Sequence, residues 1–147
     1  MNSITDIATV RVWLRDARAI AVLTGAGMSA ESGVPTFRDA QTGLWAKFRP
    51  EELATEAAFR ADPQRVWDWY ASRREMMKDV RPNAGHVALA EYQQRHPGRL
   101  TVITQNVDGL HQAAGSVGTL SLHGNIFDDI WLVPCAGALG FGGVCHV

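Results

Sequence analysis

Cysteine is scarce in this chain: two in 147 residues. Cys135 and Cys145 are separated by nine residues and form no Cys-x-x-Cys pair. In a reducing compartment they read as unpaired thiols, because disulfides are rare there and two sulfurs do not complete a zinc site. Charge of one sign is also lacking. Lys+Arg 14 against Asp+Glu 15 gives a net charge of -1 with no long run of either, which excludes the electrostatic footprint of a nucleic-acid or anionic-membrane binder. A small-molecule or protein partner is favoured. No apolar run approaches the ~20 residues that span a bilayer, and Met1-Asn2-Ser3-Ile4-Thr5-Asp6 has neither the basic start nor the apolar core of a secretory signal. These features point to a cytoplasmic protein. No repeat or low-complexity linker divides the chain, and 46% hydrophobic composition is enough for the core of one domain.

The apolar residues that are present fall into recognisable periods. Ile7, Val10, Trp13, Leu14 and Ala17 recur at helical spacing between Thr5 and Arg18, with Arg11, Arg15 and Arg18 on other faces. Ala19 to Thr24 is short and almost continuously apolar, as a strand buried on both faces of a parallel sheet reads. A segment broken by Gly33, Pro35, Asp39 and Gly43 is expected to be an ordered loop, and Pro50 is expected to open a helix to about Arg60. Asp62-Pro63 is an N-cap and first-turn pair for a helix to about Val80, on which Val66, Trp69, Tyr70, Arg73, Met76 and Met77 share one broad sector. Pro82-Asn83 starts a further helix through Arg95. Leu100 to Thr104 is a second buried-strand candidate, and Thr119 to Leu122 a third that delivers His123-Gly124. Strands alternating with helices predict an α/β fold: a parallel sheet with helices on both faces. Ligands bind outside the carboxyl ends of such strands, and here those ends carry Gly25-Ala26-Gly27, Gln105-Asn106 with Asp108, and His123.

Gly25-Ala26-Gly27-Met28-Ser29-Ala30 fits the loose G-x-G-x-x-G/A dinucleotide pattern after a strand, where glycines let backbone N–H groups approach a pyrophosphate. A plain strand-to-helix turn also produces it. The acidic residue that ends the second strand of a standard dinucleotide fold is missing, since Glu51 and Glu52 fall at a predicted helix start. The whole stretch Gly25-Ala26-Gly27-Met28-Ser29-Ala30-Glu31-Ser32-Gly33-Val34-Pro35-Thr36-Phe37-Arg38-Asp39 resembles the signature loop of the sirtuin family. Thr104-Gln105-Asn106-Val107-Asp108-Gly109-Leu110-His111 is similar to the family's second motif and Leu122-His123-Gly124-Asn125 to its third, in the family's order. The resemblance runs from about Arg11 to Asn125.

That resemblance implies a partial Rossmann-like α/β sheet and an NAD-dependent protein-lysine deacylase, which transfers an acyl group to ADP-ribose and releases nicotinamide. Residues 1–125 would be the N-terminal part of the NAD-binding catalytic domain and 126–147 a divergent or truncated tail, the product of a natural end, a shifted frame or a deletion. Gly25, Ala26, Gly27 and Ser29 would face the NAD phosphates and ribose, with Phe37 and Arg38 on the loop beside the nicotinamide ribose. Gln105, Asn106 and Asp108 would shape the nicotinamide pocket; Asn and Asp suit it because a carboxamide needs both donors and acceptors, although Asn106 or Asp108 also serves as a helix cap in an ordinary loop. His123 would be the base. An imidazole of ordinary pKa, about 6.5, accepts a proton at neutral pH, and the family chemistry supplies one from a ribose hydroxyl after the acyl oxygen has attacked the sugar carbon. A histidine standing alone is more often structural; the motif singles this one out, and His86, His96, His111 and His146 have no comparable case.

Trp69-Tyr70-Ala71-Ser72-Arg73-Arg74 resembles the Tyr-x-x-Arg element of sirtuins that accept acidic acyl groups such as succinyl-lysine, and Tyr70 and Arg73 share a helix face from which both can reach one carboxylate. A core-packed Tyr70 beside a solvated Arg73 is the alternative. The family's zinc module, with its two Cys-x-x-Cys pairs, has no counterpart in residues 126–147, so no metal ligand is assigned. The expected partners are acylated-lysine proteins or peptides, with no nucleic acid and no membrane. The competing function is a non-catalytic remnant that binds NAD or a partner; a generic dinucleotide dehydrogenase is disfavoured by the missing acidic strand end.

Overall fold

The computed structural model describes residues 6–35 and 53–129. Helix α1, Ile7–Asp16, starts where Asp6 accepts the Ala8 N–H at 2.9 Å and the Thr9 hydroxyl at 3.0 Å, a side-chain cap for otherwise orphaned amide groups. None of its residues is buried. Polar ties hold its C-terminal end: Arg99 donates to the carbonyls of Ala17 (2.8 Å), Leu14 (3.1 Å) and Arg15, and the Tyr92 hydroxyl donates to that of Leu14 at 3.3 Å.

Strand β1, Ile20–Thr24, is followed by the short helix α2, Ala26–Ser29, and a single 3-10 turn, Ala30–Ser32. Helix α3 runs Glu56–Ala61, with the Thr55 hydroxyl accepting the Ala58 N–H at 3.1 Å. The helix expected from Pro50 therefore starts later, at the residue whose side chain caps it; Leu53, in the turn before it, is buried. Helix α4, Pro63–Met77, is capped by Asp62 as its sequence predicts and stops at Met77, short of Val80. Helix α5, Ala84–Arg95, begins with a reciprocal cap: Asn83 accepts the Gly85 and His86 amides, and the His86 ring accepts the Asn83 amide. Strand β2, Leu100–Thr104, helix α6, Leu110–Ala113, and strand β3, Leu120–Ser121, complete the order.

The three strands form one parallel sheet in the order β1-β2-β3, with Thr24 opposite Thr104 and Thr104 opposite Ser121. This α/β architecture is the fold class the sequence predicts. One strand reading changes. Residues paired across parallel strands share a face, and the face bearing Leu23, Ile103 and Leu120 is largely open, Leu23 being 64% and Leu120 54% exposed, whereas Val102 on the other face is 0% exposed. A continuously apolar strand is thus not a strand buried on both sides here. On that other face Val102 and Leu100 are buried, as are Ala90, Val66, Leu110 and Ile126 elsewhere, and helix α5 packs against β2. Gln93 ties α5 to this layer: its amide donates to the carbonyls of Leu100 (3.2 Å) and Val117 (3.0 Å) and accepts from the Val117 N–H. A buried amide with its donors and acceptor satisfied in this way holds the approach to β3 in register.

Candidate functional site

The carboxyl ends of all three strands lie side by side, so the residues that follow them meet. After β1, Gly25 is extended (φ -142, ψ -166), and a Cβ added at Gly25 or Gly27 would meet nothing within 4 Å. The backbone here borders open space, the requirement for close approach of a phosphate or ribose. Ser29, one turn on, is 0% exposed. Its hydroxyl donates to Asp108 at 2.6 Å and accepts from the Asn106 amide at 3.0 Å; the same amide donates to the Gly25 carbonyl at 3.0 Å. Asp108 uses its other oxygen to accept the Leu110 N–H at 3.0 Å, at the first residue of α6, whose N-cap is Gly109. The first and second motifs, nearly 80 residues apart, are locked into one hydrogen-bonded unit.

The other candidate residues are distributed around that unit. Ala26 and Gln105 are exposed, Asn106 is half-buried, and Gln105 extends the sheet by donating its N–H to Thr24 at 3.0 Å. His123 is exposed just beyond β3, followed by Gly124 at φ +76, a left-handed conformation that favours glycine. The Ile126 N–H returns to the Val107 carbonyl at 2.8 Å, which brings the third motif against the second. Phe37 and Arg38 lie outside the described residues, as do Cys135 and Cys145. On α4, Tyr70 and Arg73 are both half-buried; the Tyr70 ring meets Trp69 edge-on at 4.8 Å and the Arg73 guanidinium lies 4.9 Å over the Trp69 ring. Burial pulls Arg73 below the ordinary arginine pKa, and Tyr70 acts in the opposite direction.

The open glycine backbone and the amide and carboxylate groups fit NAD as a ligand. A four-thiolate zinc site does not fit, since the whole chain has two cysteines; among the described residues no group of three or more His, Cys, Asp or Glu could hold a metal ion. No described helix is long and apolar enough to cross a membrane.

A buried histidine pair under the site went unread in the sequence. His86 and His111 are 0% and 1% exposed, with ring centroids 4.7 Å apart in an edge-to-face arrangement. His111 Nε2 shares a hydrogen bond of 2.9 Å with the Thr24 hydroxyl at the end of β1. The usable signals were local: His86 stands three residues after Asn83, the reciprocal-cap spacing, and His111 belongs to the second motif. Desolvation lowers the pKa of both; the neighbouring His86 ring lowers that of His111 further, and Asp108 opposes the shift in both. The folded state therefore binds fewer protons than the unfolded one. Its stability is complete above about pH 6.5 and declines as pH falls below that value, by at most about 1.4 kcal/mol per pH unit for each histidine, until the depressed folded values are reached. Urea unfolding at pH 7.5 and 5.5 measures this. His86→Gln with His111→Gln should flatten the difference, and an equal decline in wild type and double variant would remove the pair as its source.

The Sir2 family model matches residues 25–137. The chain is 58% identical over 128 residues to an NAD-dependent protein deacylase of Ralstonia nicotianae, an alignment covering 87% of this chain and 51% of that protein. A Sir2 homologue solved as an NAD complex superposes with a TM-score of 0.73 at 46% identity, over 84% of this chain and 47% of that one. Sir2 in complex with the inhibitor EX-527, 2'-O-acetyl-ADP-ribose and a deacetylated p53 peptide gives 0.61 at 32% identity, over 81% and 46%. The chain spans about half the length of the relatives it matches. With the three motifs joined at the strand ends and more than half of its residues inside the family match, the chain belongs to the Sir2 family.

Proposed function

We propose that residues 1–125 form the NAD-handling part of an NAD-dependent protein-lysine deacylase. The observation that carries this is the convergence of the motifs: Ser29, Asn106 and Asp108 are joined directly, and Ile126 brings the segment that begins at His123 against Val107. Bound NAD would supply an electrophilic ribose carbon for the acyl oxygen, with nicotinamide as the leaving group. Gly25, Ala26 and Gly27 leave room for the phosphates, the Asn106–Asp108 loop shapes the carboxamide pocket, and the exposed His123 takes a proton from a ribose hydroxyl. Phe37 and Arg38 belong to the same reading. Relatives named NAD-dependent protein deacylase and a Sir2 structure holding 2'-O-acetyl-ADP-ribose with a deacetylated peptide support an acylated-lysine substrate. The test joins residues 1–125 to the C-terminal half of the Ralstonia nicotianae relative. This chimera should release nicotinamide and deacylated peptide in equal amounts; NAD binding without turnover would favour a non-catalytic remnant.

Tyr70 and Arg73 would select acidic acyl groups, since a carboxylate entering a half-buried site needs a cationic hydrogen-bonding partner to offset its desolvation. In the chimera, Arg73→Met should lower kcat/KM for succinyl-lysine peptide about a hundredfold, roughly 2.7 kcal/mol, and for acetyl-lysine peptide less than threefold. Equal losses on both substrates would leave Arg73 as a support of the fold.

A further inference from the structure

Arg74, next to the acyl-reading pair, uses its guanidinium in a different direction. Its Nε donates to the Ile126 carbonyl at 2.6 Å, its Nη1 to Asp129 at 3.2 Å and its Nη2 to the same carboxylate, while the group lies 5.7 Å over the Trp67 ring. The Ile126 N–H is held from the other side by the Val107 carbonyl at 2.8 Å, and Ile126 itself is buried. Both backbone groups of one residue are therefore fixed: one by the loop that carries Asn106 and Asp108, the other by the helix that carries Tyr70 and Arg73. Three residues upstream is His123, exposed and separated from this anchor by Gly124 and Asn125. An exposed residue between a short strand and a left-handed glycine has little packing to place it, so the anchor at Ile126 carries that task. A planar guanidinium suits it, because the fork bonds a carboxylate through two nitrogens while Nε serves a third acceptor; an ammonium offers no fixed fork.

We propose that Arg74 is a positioning residue, clamping the segment from His123 to Asp129 between helix α4 and the Asn106–Asp108 loop and so setting where the base stands relative to the acyl-reading face. This rests on the reading of His123 as the base. The test uses the 147-residue chain and needs no turnover: amide hydrogen exchange followed by NMR, together with the ring resonances of His123, in wild type, Arg74→Met, Arg74→Lys and Asp129→Asn. In Arg74→Met the amides of Ile126 and Asp128 should exchange at least tenfold faster while Val102 in β2 is unchanged, and the His123 ring signals should shift or broaden. Arg74→Lys should give an intermediate effect, and Asp129→Asn, which spares the bond to Ile126, a smaller one. Unchanged exchange at Ile126 would show that there is no clamp. Faster exchange with His123 signals superimposable on wild type would reduce Arg74 to a structural tie. Should Arg74→Met fail to fold, the lysine and Asp129 variants decide by the same two readouts. Loss of the base assignment would appear elsewhere, as undiminished turnover of His123→Ala in the chimera, so the two failures are distinguishable.

Discussion

In the chimera, His123→Ala should lower deacylation by roughly a hundred- to ten-thousandfold, the usual contribution of a positioned general base. Its affinity for NAD should stay within a few fold, because the open backbone at Gly25 and Gly27 and the Ser29–Asn106–Asp108 unit do not include the imidazole. Exposure supplies a second criterion. A side chain at the surface leaves a gap that a small molecule can reach, so added imidazole should recover part of the lost turnover. Steady-state rates with an acetyl-lysine peptide, with and without imidazole, measure both effects. Undiminished turnover would remove His123 as the base.

Asp108→Ala should give the largest loss of stability, roughly 2–4 kcal/mol, because it removes two hydrogen bonds to a buried carboxylate at once. The Ser29 hydroxyl loses its acceptor at 2.6 Å in a fully enclosed position, and the Leu110 N–H at the start of α6 loses the one at 3.0 Å. Asp108→Asn keeps an oxygen for Leu110, and Ser29 can still accept hydrogen bonds, so about half that loss is expected. Urea midpoints at constant m-value compare the two. Equal midpoints for wild type and Asp108→Ala would mean that the network adds nothing to the fold and serves only the ligand.

The two predictions are linked. Asp108 belongs to the second-motif loop and is at the same time a buried acceptor of two hydrogen bonds, so its replacement should affect site and fold together. His123 is exposed, and its replacement should affect the chemistry alone. The sequence had placed both in one list of site residues; burial separates them.

Much of the fold was legible because its signals are short-range. Asp62-Pro63 starts α4 and Asn83 starts α5 as written, since a cap involves a side chain and amides two or three residues away. Leu100 to Thr104 is a strand with the predicted bounds. The beginning of α3 was missed because proline marks a permitted first turn, whereas Thr55 supplies the hydrogen bond that makes one. The three motifs, their order and their place at strand ends were likewise present in the sequence, and with them the family. What the tertiary structure alone decided is which of those residues touch. A continuously apolar strand has no alternation, so nothing in Ala19 to Thr24 tells that the face bearing Leu23 is left open. The bond from Ser29 to Asp108, the contact of His86 with His111 and the clamp of Arg74 on Ile126 span from 25 to 79 residues, and they depend in turn on the register of β1 against β2, on the packing of α5 against α6 and on the path of the segment after β3. Local composition carries no record of such a register; it is set by the packing of helices against a shared sheet face, where every long-range contact is determined together.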